Sequence, residues 1–195
     1  MKREKRYPII SLATVAILLL TRSAFAFEKM DEKYLIRVGN PEATEAITHY
    51  FSLACPHCVL STIREFPKIF DRYVKDGRLL WTFHANPSDV NTVRFLICLE
   101  KMPESRKFSF FWNVLGIALA DEEELPFLLE EQSRLHGHAI SGLADPDFLK
   151  RAPATLRSSE YLNQEGVPGS VPSIEKDGIL VKGAPTLAKV REILR

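Results

Sequence analysis

Apolar positions change their spacing several times along the chain, and each change marks an element. Ala46 to Leu53 (Ala-Ile-Thr-His-Tyr-Phe-Ser-Leu) is a short run rich in residues that suit a pleated, half-buried surface, and it predicts a strand. From Cys58 the spacing becomes three and four, with Val59, Ile63, Phe66, Ile69, Phe70 and Tyr73 on one stripe of a helix. Pro67 lies within that helix and predicts a kink or a division, and Asp76-Gly77 marks its stop. Arg78 to His84 reads as a second, central strand, followed by a loop over Ala85 to Ser88.

Helical spacing then dominates: Asp89 to Met102, Ser105 to Ala120, Asp121 to His136 and Asp145 to Gln164, punctuated by Pro103, Gly137, Gly142 and Pro146. Ser88 or Asp89 suits the cap of the first helix, and Asp145 before Pro146 suits the cap of the last. Sheet signals return at Val171 to Ile174 and Ile179 to Val181, with Lys176-Asp177-Gly178 as the hairpin turn between them. An amphipathic helix over Pro185 to Leu194 closes the chain. Strand, helix, strand with a right-handed crossover makes a parallel pair, and the late hairpin adds antiparallel strands to the same sheet. The expectation is an α/β fold, a small mixed sheet with a helical subdomain spliced into it.

The first 26 residues stand outside this pattern. Lys2, Arg3, Lys5 and Arg6 precede the apolar run Pro8 to Leu20, and Ala24-Phe25-Ala26 follows as a small-x-small cleavage site. The run is shorter than the roughly 20 apolar residues that a membrane-spanning helix needs. It reads as an export signal, residues 1–26, with a soluble exported chain beginning at Phe27. What remains suits one domain with a real core, or one domain with a sizeable insertion. The charge is near neutral, with 26 Lys and Arg against 25 Asp and Glu, so no basic face argues for a nucleic-acid partner.

Three cysteines lie beyond the signal: Cys55, Cys58 and Cys98. Export favours disulfides, but an odd count and a gap of two residues suit stapling poorly, because a very small loop removes little entropy from the unfolded chain. The pair Cys55-Pro56-His57-Cys58, between a strand and a helix start, suits chemistry better. In a dithiol at a helix N-terminus the first sulfur meets unpaired backbone N–H groups and the positive end of the helix dipole. This assigns Cys55 as the nucleophile, with Cys58 deeper in the helix as the resolving thiol. His57, between the thiols, can add a hydrogen bond or partial charge to Cys55. Stabilising the thiolate stabilises the reduced form and makes the disulfide a stronger oxidant.

Two separated motifs carry a resemblance. Phe51-Ser52 followed by Cys55-Pro56-His57-Cys58 is one, and Val171-Pro172-Ser173-Ile174 with Gly178 six residues after the proline is the other. With helices between them and an export signal before them, the chain resembles the DsbA family of bacterial periplasmic disulfide oxidoreductases. That resemblance implies a thioredoxin fold with a helical domain inserted between its βαβ half and its C-terminal ββα half. The boundaries expected are 27–88 for the first half, 89–165 for the insert and 166–195 for the second half. It further implies a periplasmic thiol oxidase, monomeric, that donates the Cys55–Cys58 disulfide to exported cysteine-containing proteins. Recycling would fall to a DsbB-like membrane partner, and no metal or organic cofactor is implied. Val171 and Pro172 would face the dithiol and could pair with an extended substrate peptide by strand addition, with a cis bond plausible before the proline. Pro168 competes for that place, but Pro172 has the better spacing to Gly178.

Six residues before the first cysteine, thioredoxin-like proteins usually place a buried acidic residue; this chain has His49. A neutral imidazole could relay a proton, a protonated one would favour the thiolate, and a packed strand histidine would do neither. A reductase or isomerase is the alternative within the enzyme class, though Val171 stands where isomerases tend to have threonine. A non-catalytic metal or substrate carrier is the alternative outside it. For zinc, the chain offers no second Cys-x-x-Cys, and His136 and His138 lie two apart in a glycine-containing turn that reads as solvated. Cys98 falls in an apolar helix and reads as a buried thiol. Phe108, Phe110, Phe111 and Trp112 read as the core of the insert.

Overall fold

In the computed structural model, which describes residues 32–119, 121, 123–152 and 170–195, a short 3-10 turn leads into β1 (Leu35–Val38). Then come β2 (Glu45–Phe51), α1 (Pro56–Ile69), a π-helical turn (Phe70–Val74) and β3 (Leu79–Ala85). The helical part follows as α2 (Val90–Lys101), α3 (Glu104–Ile117), α4 (Leu125–Leu135) and α5 (Phe148–Arg151). The chain ends with β4 (Ser173–Lys176), β5 (Ile179–Lys182) and α6 (Leu187–Ile193). The segment read as an export signal, the C-terminal part of the helix expected to reach Gln164, and Pro168 lie outside the described residues.

The strands form one sheet in the order β1-β3-β2-β4-β5. β2 and β3 are parallel, in register from Glu45↔Leu79 to Phe51↔Ala85, as the strand-helix-strand pattern requires. β4 runs antiparallel to β2, and β5 antiparallel to β4. Asp177 and Gly178 turn this hairpin with φ of 52° and 79°, the left-handed pair that a two-residue type I′ connection takes. β1, antiparallel to β3, was not expected from the sequence. It is four residues long, sits at the sheet edge and carries Arg37 outward, so it offers little alternation to read. Gly39 ends it at φ 113°, where a Cβ would lie 2.7 Å from the Leu79 carbonyl oxygen.

Side chains two apart on a strand share a face. Ile47, His49 and Phe51 therefore lie with Trp81 and Phe83 of β3, and α1 lays Phe66 onto Trp81 and Phe83 with ring centroids 5.7 and 4.8 Å away. Onto the same face α3 brings Phe111, at 4.7 Å from Phe83 and 5.1 Å from Phe51. The aromatic cluster expected as the core of the insert is thus divided. Phe110 stacks on Phe95 of α2, while Phe108 and Trp112 rest on Phe66 of α1. One continuous core joins the sheet, α1 and the inserted helices, and each fully buried ring adds about 1.5–3 kcal/mol. The interruption expected at Pro67 takes a particular form. The helix continues to Ile69, and the widened turn comes next, with the Lys75 N–H reaching the Phe70 carbonyl at 2.9 Å.

Candidate active site

β2 ends at Phe51, and four residues later Cys55 begins α1. Its backbone is extended (φ −102°, ψ 97°), and its sulfur accepts the Cys58 backbone N–H at 3.2 Å. That is the position a Ser or Asp oxygen takes at a helix N-cap. Pro56 occupies the first helical turn, where its missing N–H is not needed. His57 is exposed, Cys55 is half-buried and Cys58 is wholly buried. All three cysteines stand as free thiols. Burial pushes the Cys58 thiol well above the usual cysteine range, its hydrogen bond with Cys55 adds to the rise, and the Ser52 backbone N–H works against it. Cys58 thus holds its proton, while the Cys55 sulfur meets solvent at the positive end of α1. The hydroxyls of Ser61 and Thr62 both donate to the Cys58 carbonyl, at 3.0 and 2.8 Å.

The pairing Tyr50↔Ser173 sets Pro172 beside the end of β2, so the Val171-Pro172 segment lies at the sheet end from which the Cys55 loop departs. The Val171–Pro172 peptide bond is cis. Pro172 is buried, it has no N–H, and its carbonyl accepts the Gly183 N–H at 2.8 Å. Any strand addition here therefore falls to half-buried Val171, and the expectation that both residues offer backbone to a peptide narrows to that one.

A family model described as Thioredoxin matches residues 31–195. The chain belongs to the thioredoxin family. Among solved structures its fold is similar to that of BdbD from Bacillus subtilis, with 16% identity over 84% of this chain and 92% of that one and a TM-score of 0.66. It is similar as well to a protein-disulfide isomerase from Novosphingobium aromaticivorans (21% identity, 83% and 95% covered, TM-score 0.58). DsbA from Chlamydia trachomatis is a third such structure (17% identity, 86% and 92% covered, TM-score 0.60). A search of curated protein sequences finds no match. The fold is DsbA-like, a thioredoxin sheet with helices inserted after β3.

In this thioredoxin-family chain His49 is wholly buried, ringed by Phe51, Trp81 and Phe83 at centroid distances of 6.1, 5.8 and 5.5 Å. Neither ring nitrogen has a hydrogen-bond partner among the described residues. Burial holds its pKa down to about 3, so the imidazole is neutral. The charged form, which would have drawn the dithiol toward the thiolate, is thereby set aside. Cys98 is buried in α2, and burial pushes its thiol up to about 12. His136, half-buried just after α4, is held by contacts of its own. Its Nδ1 lies 2.8 Å from the Gln132 carbonyl oxygen and its ring meets Phe110 edge-on at 5.6 Å.

Sequence reasoning missed the contacts among three polar residues around the loop that carries Cys55, although it placed Ser52 in a motif and Asp89 at a cap. Ser52 and Asp89 meet at 2.8 Å, and Thr92 meets Asp89 at 2.6 Å and the Leu53 N–H at 3.0 Å. Asp89 was readable only as a cap of α2, which it is: its Oδ1 accepts the Thr92 N–H at 2.7 Å. Nothing in the spacing pointed to Ser52, 37 residues away.

Proposed function

We propose that the protein is an exported thiol:disulfide oxidoreductase that donates the Cys55–Cys58 disulfide to exported proteins in the periplasm. The observation that carries this reading is the asymmetry of the pair. The Cys55 sulfur caps α1 in contact with solvent, while the Cys58 thiol is buried and holds its proton. A substrate thiolate attacks the Cys55 sulfur, the S–S bond breaks, and Cys58 leaves and takes up a proton. The second substrate thiolate attacks the substrate sulfur of the mixed disulfide, and Cys55 leaves as a thiolate at the helix end. Two substrate thiols become a disulfide, and the enzyme disulfide becomes a dithiol. Reoxidation then needs an electron acceptor, for which a DsbB-like membrane partner is the candidate.

His57 adds a hydrogen bond or partial charge to Cys55, and Val171 offers backbone to an extended peptide. Neutral His49, with unpartnered nitrogens on the sheet face that carries α1, is suited to pass a proton at the buried thiol. The deciding experiment is the reduction potential of the pair together with oxidation of a reduced two-cysteine test peptide. An oxidising value with peptide oxidation is expected. A value near that of cytoplasmic thioredoxin, about −270 mV, would reverse the direction to reductase. Export predicts a mature N-terminus at Phe27, read by sequencing the secreted protein.

A further inference from the structure

Asp89 joins the inserted helices to the redox loop through two hydroxyls whose direction it dictates. A carboxylate only accepts hydrogen bonds. Its Oδ2 takes the Ser52 hydroxyl at 2.8 Å and the Thr92 hydroxyl at 2.6 Å, while Oδ1 takes the Thr92 backbone N–H at 2.7 Å. Both hydroxyls, having given their protons to Asp89, turn lone pairs to the loop. Thr92 Oγ1 accepts the Leu53 N–H at 3.0 Å, and Ser52 Oγ accepts the Ala54 N–H at 3.1 Å. Leu53 and Ala54 are the two residues before Cys55, and the Ser52 carbonyl accepts the Cys55 N–H at 3.3 Å. Ser52 is 3% exposed and Thr92 wholly buried, so both hydroxyls are shielded from water.

We infer that Asp89, acting through Ser52 and Thr92, is a positioning residue for the redox pair, and that the inserted helical part sets the reactivity of Cys55 and Cys58 by holding the Ser52–Cys55 loop. The inference rests on the thiol-exchange reading above. Its consequence runs through the Ser52 carbonyl, which accepts the Cys55 N–H at 3.3 Å and so holds the Cys55 sulfur where the Cys58 N–H reaches it at 3.2 Å. Releasing the loop loosens that cap on the Cys55 sulfur, disfavours the reduced pair and makes the disulfide less oxidising. An asparagine cannot replace the aspartate. If its oxygen takes both hydroxyls, its NH2 faces the Thr92 N–H; if it is flipped, its NH2 faces the hydroxyls and turns their protons toward the loop amides.

The test is equilibration of the full-length protein with glutathione, comparing wild type, Asp89→Asn, Ser52→Ala and Arg94→Ala. Ser52→Ala leaves the Asp89 cap of α2 in place and keeps the test open if Asp89→Asn does not fold. Arg94→Ala removes a different anchor of the same helix, the bond from Arg94 Nε to the Leu143 carbonyl at 2.7 Å. The expected result is a shift of the equilibrium toward the disulfide by about three- to tenfold in Asp89→Asn and Ser52→Ala, the worth of one net hydrogen bond. Arg94→Ala should lower thermal stability with the wild-type equilibrium retained. Wild-type equilibria in both Asp89→Asn and Ser52→Ala would overturn the inference and leave Asp89 a helix cap. A wild-type pair that does not equilibrate with glutathione overturns the exchange reading itself, a result seen before any variant is compared.

Discussion

The backbone N–H of Cys58 donates to the sulfur of Cys55 across 3.2 Å. One cysteine is therefore the cap of a helix and the other its buried first turn, and the two sulfurs differ in access although they are three residues apart. Cys58→Ser should form a mixed disulfide with a substrate or with glutathione that persists, because the thiol that resolves it is gone. Cys55→Ser should form none. Intact-mass measurement after incubation with oxidised glutathione reads both, and an adduct on Cys58 in the Cys55→Ser protein would refute the assignment of Cys55 as the reacting thiol.

His57 is exposed at the second position of α1, on the turn whose N–H groups face Cys55. Replacing it with alanine should remove its partial charge from the thiolate and leave the helix cap intact. The expected change is a disulfide that is less oxidising by roughly 10–30 mV, up to a tenfold change in the equilibrium constant. A redox titration against glutathione measures it, and an unchanged potential takes His57 out of the mechanism.

How far these features could be read from the chain depends on how local their causes are. The Cys55–Cys58 pair, the α1 stripe of Val59, Phe66 and Ile69 and the Asp177-Gly178 turn each follow from residues within a few turns of each other, although Ile63, read on the same stripe, is 37% exposed. The parallel pairing of β2 with β3 followed because a helix separates them. β1 did not, since Leu35–Val38 acquires its strand character from pairing with Trp81 to His84, far along the chain. The periodicity of α3 showed that Phe111 is buried, but not that its partners are Phe51 and Phe83 on the sheet. Ser52, Asp89 and Thr92 are ordinary residues for a strand end and a helix cap. Only the packing of α2 against the loop makes them neighbours.

Lys107 ties α3 to the start of β1. Its side chain is 5% exposed, it pairs with Glu104 at 2.6 Å, and its ammonium reaches the Glu32 and Leu35 carbonyls at 3.3 and 3.4 Å. Lys107→Met keeps the length and apolar stem but removes the donor from both carbonyls. The loss in unfolding free energy should be about 1–3 kcal/mol, read by urea denaturation, with the redox potential unchanged. A shift in potential of the size expected for His57→Ala would show that this contact reaches the dithiol, contrary to its place at the far edge of the sheet.

Two buried histidines should make the fold sensitive to acid. Burial holds His49 down to about 3 and His84 to about 4, against 6.5 for the free side chain. Above pH 6.5 both are neutral in the folded and the unfolded chain and contribute no pH dependence. Below it the unfolded chain takes up protons that the folded one refuses, so stability falls by about 1.4 kcal/mol per pH unit for each histidine. The loss continues down to about pH 4 for His84 and about pH 3 for His49. Between pH 6 and 5 ordinary carboxylates remain largely ionised, so this window isolates the histidines. His49→Leu and His84→Phe should each remove about one proton from the slope of unfolding free energy there, measured by urea denaturation at a series of pH values. A slope equal to that of the wild type in either variant would mean that the histidine is protonated in the folded protein. For His49 that would restore a charged imidazole on the sheet face that carries α1 and replace proton transfer by thiolate stabilisation as its contribution.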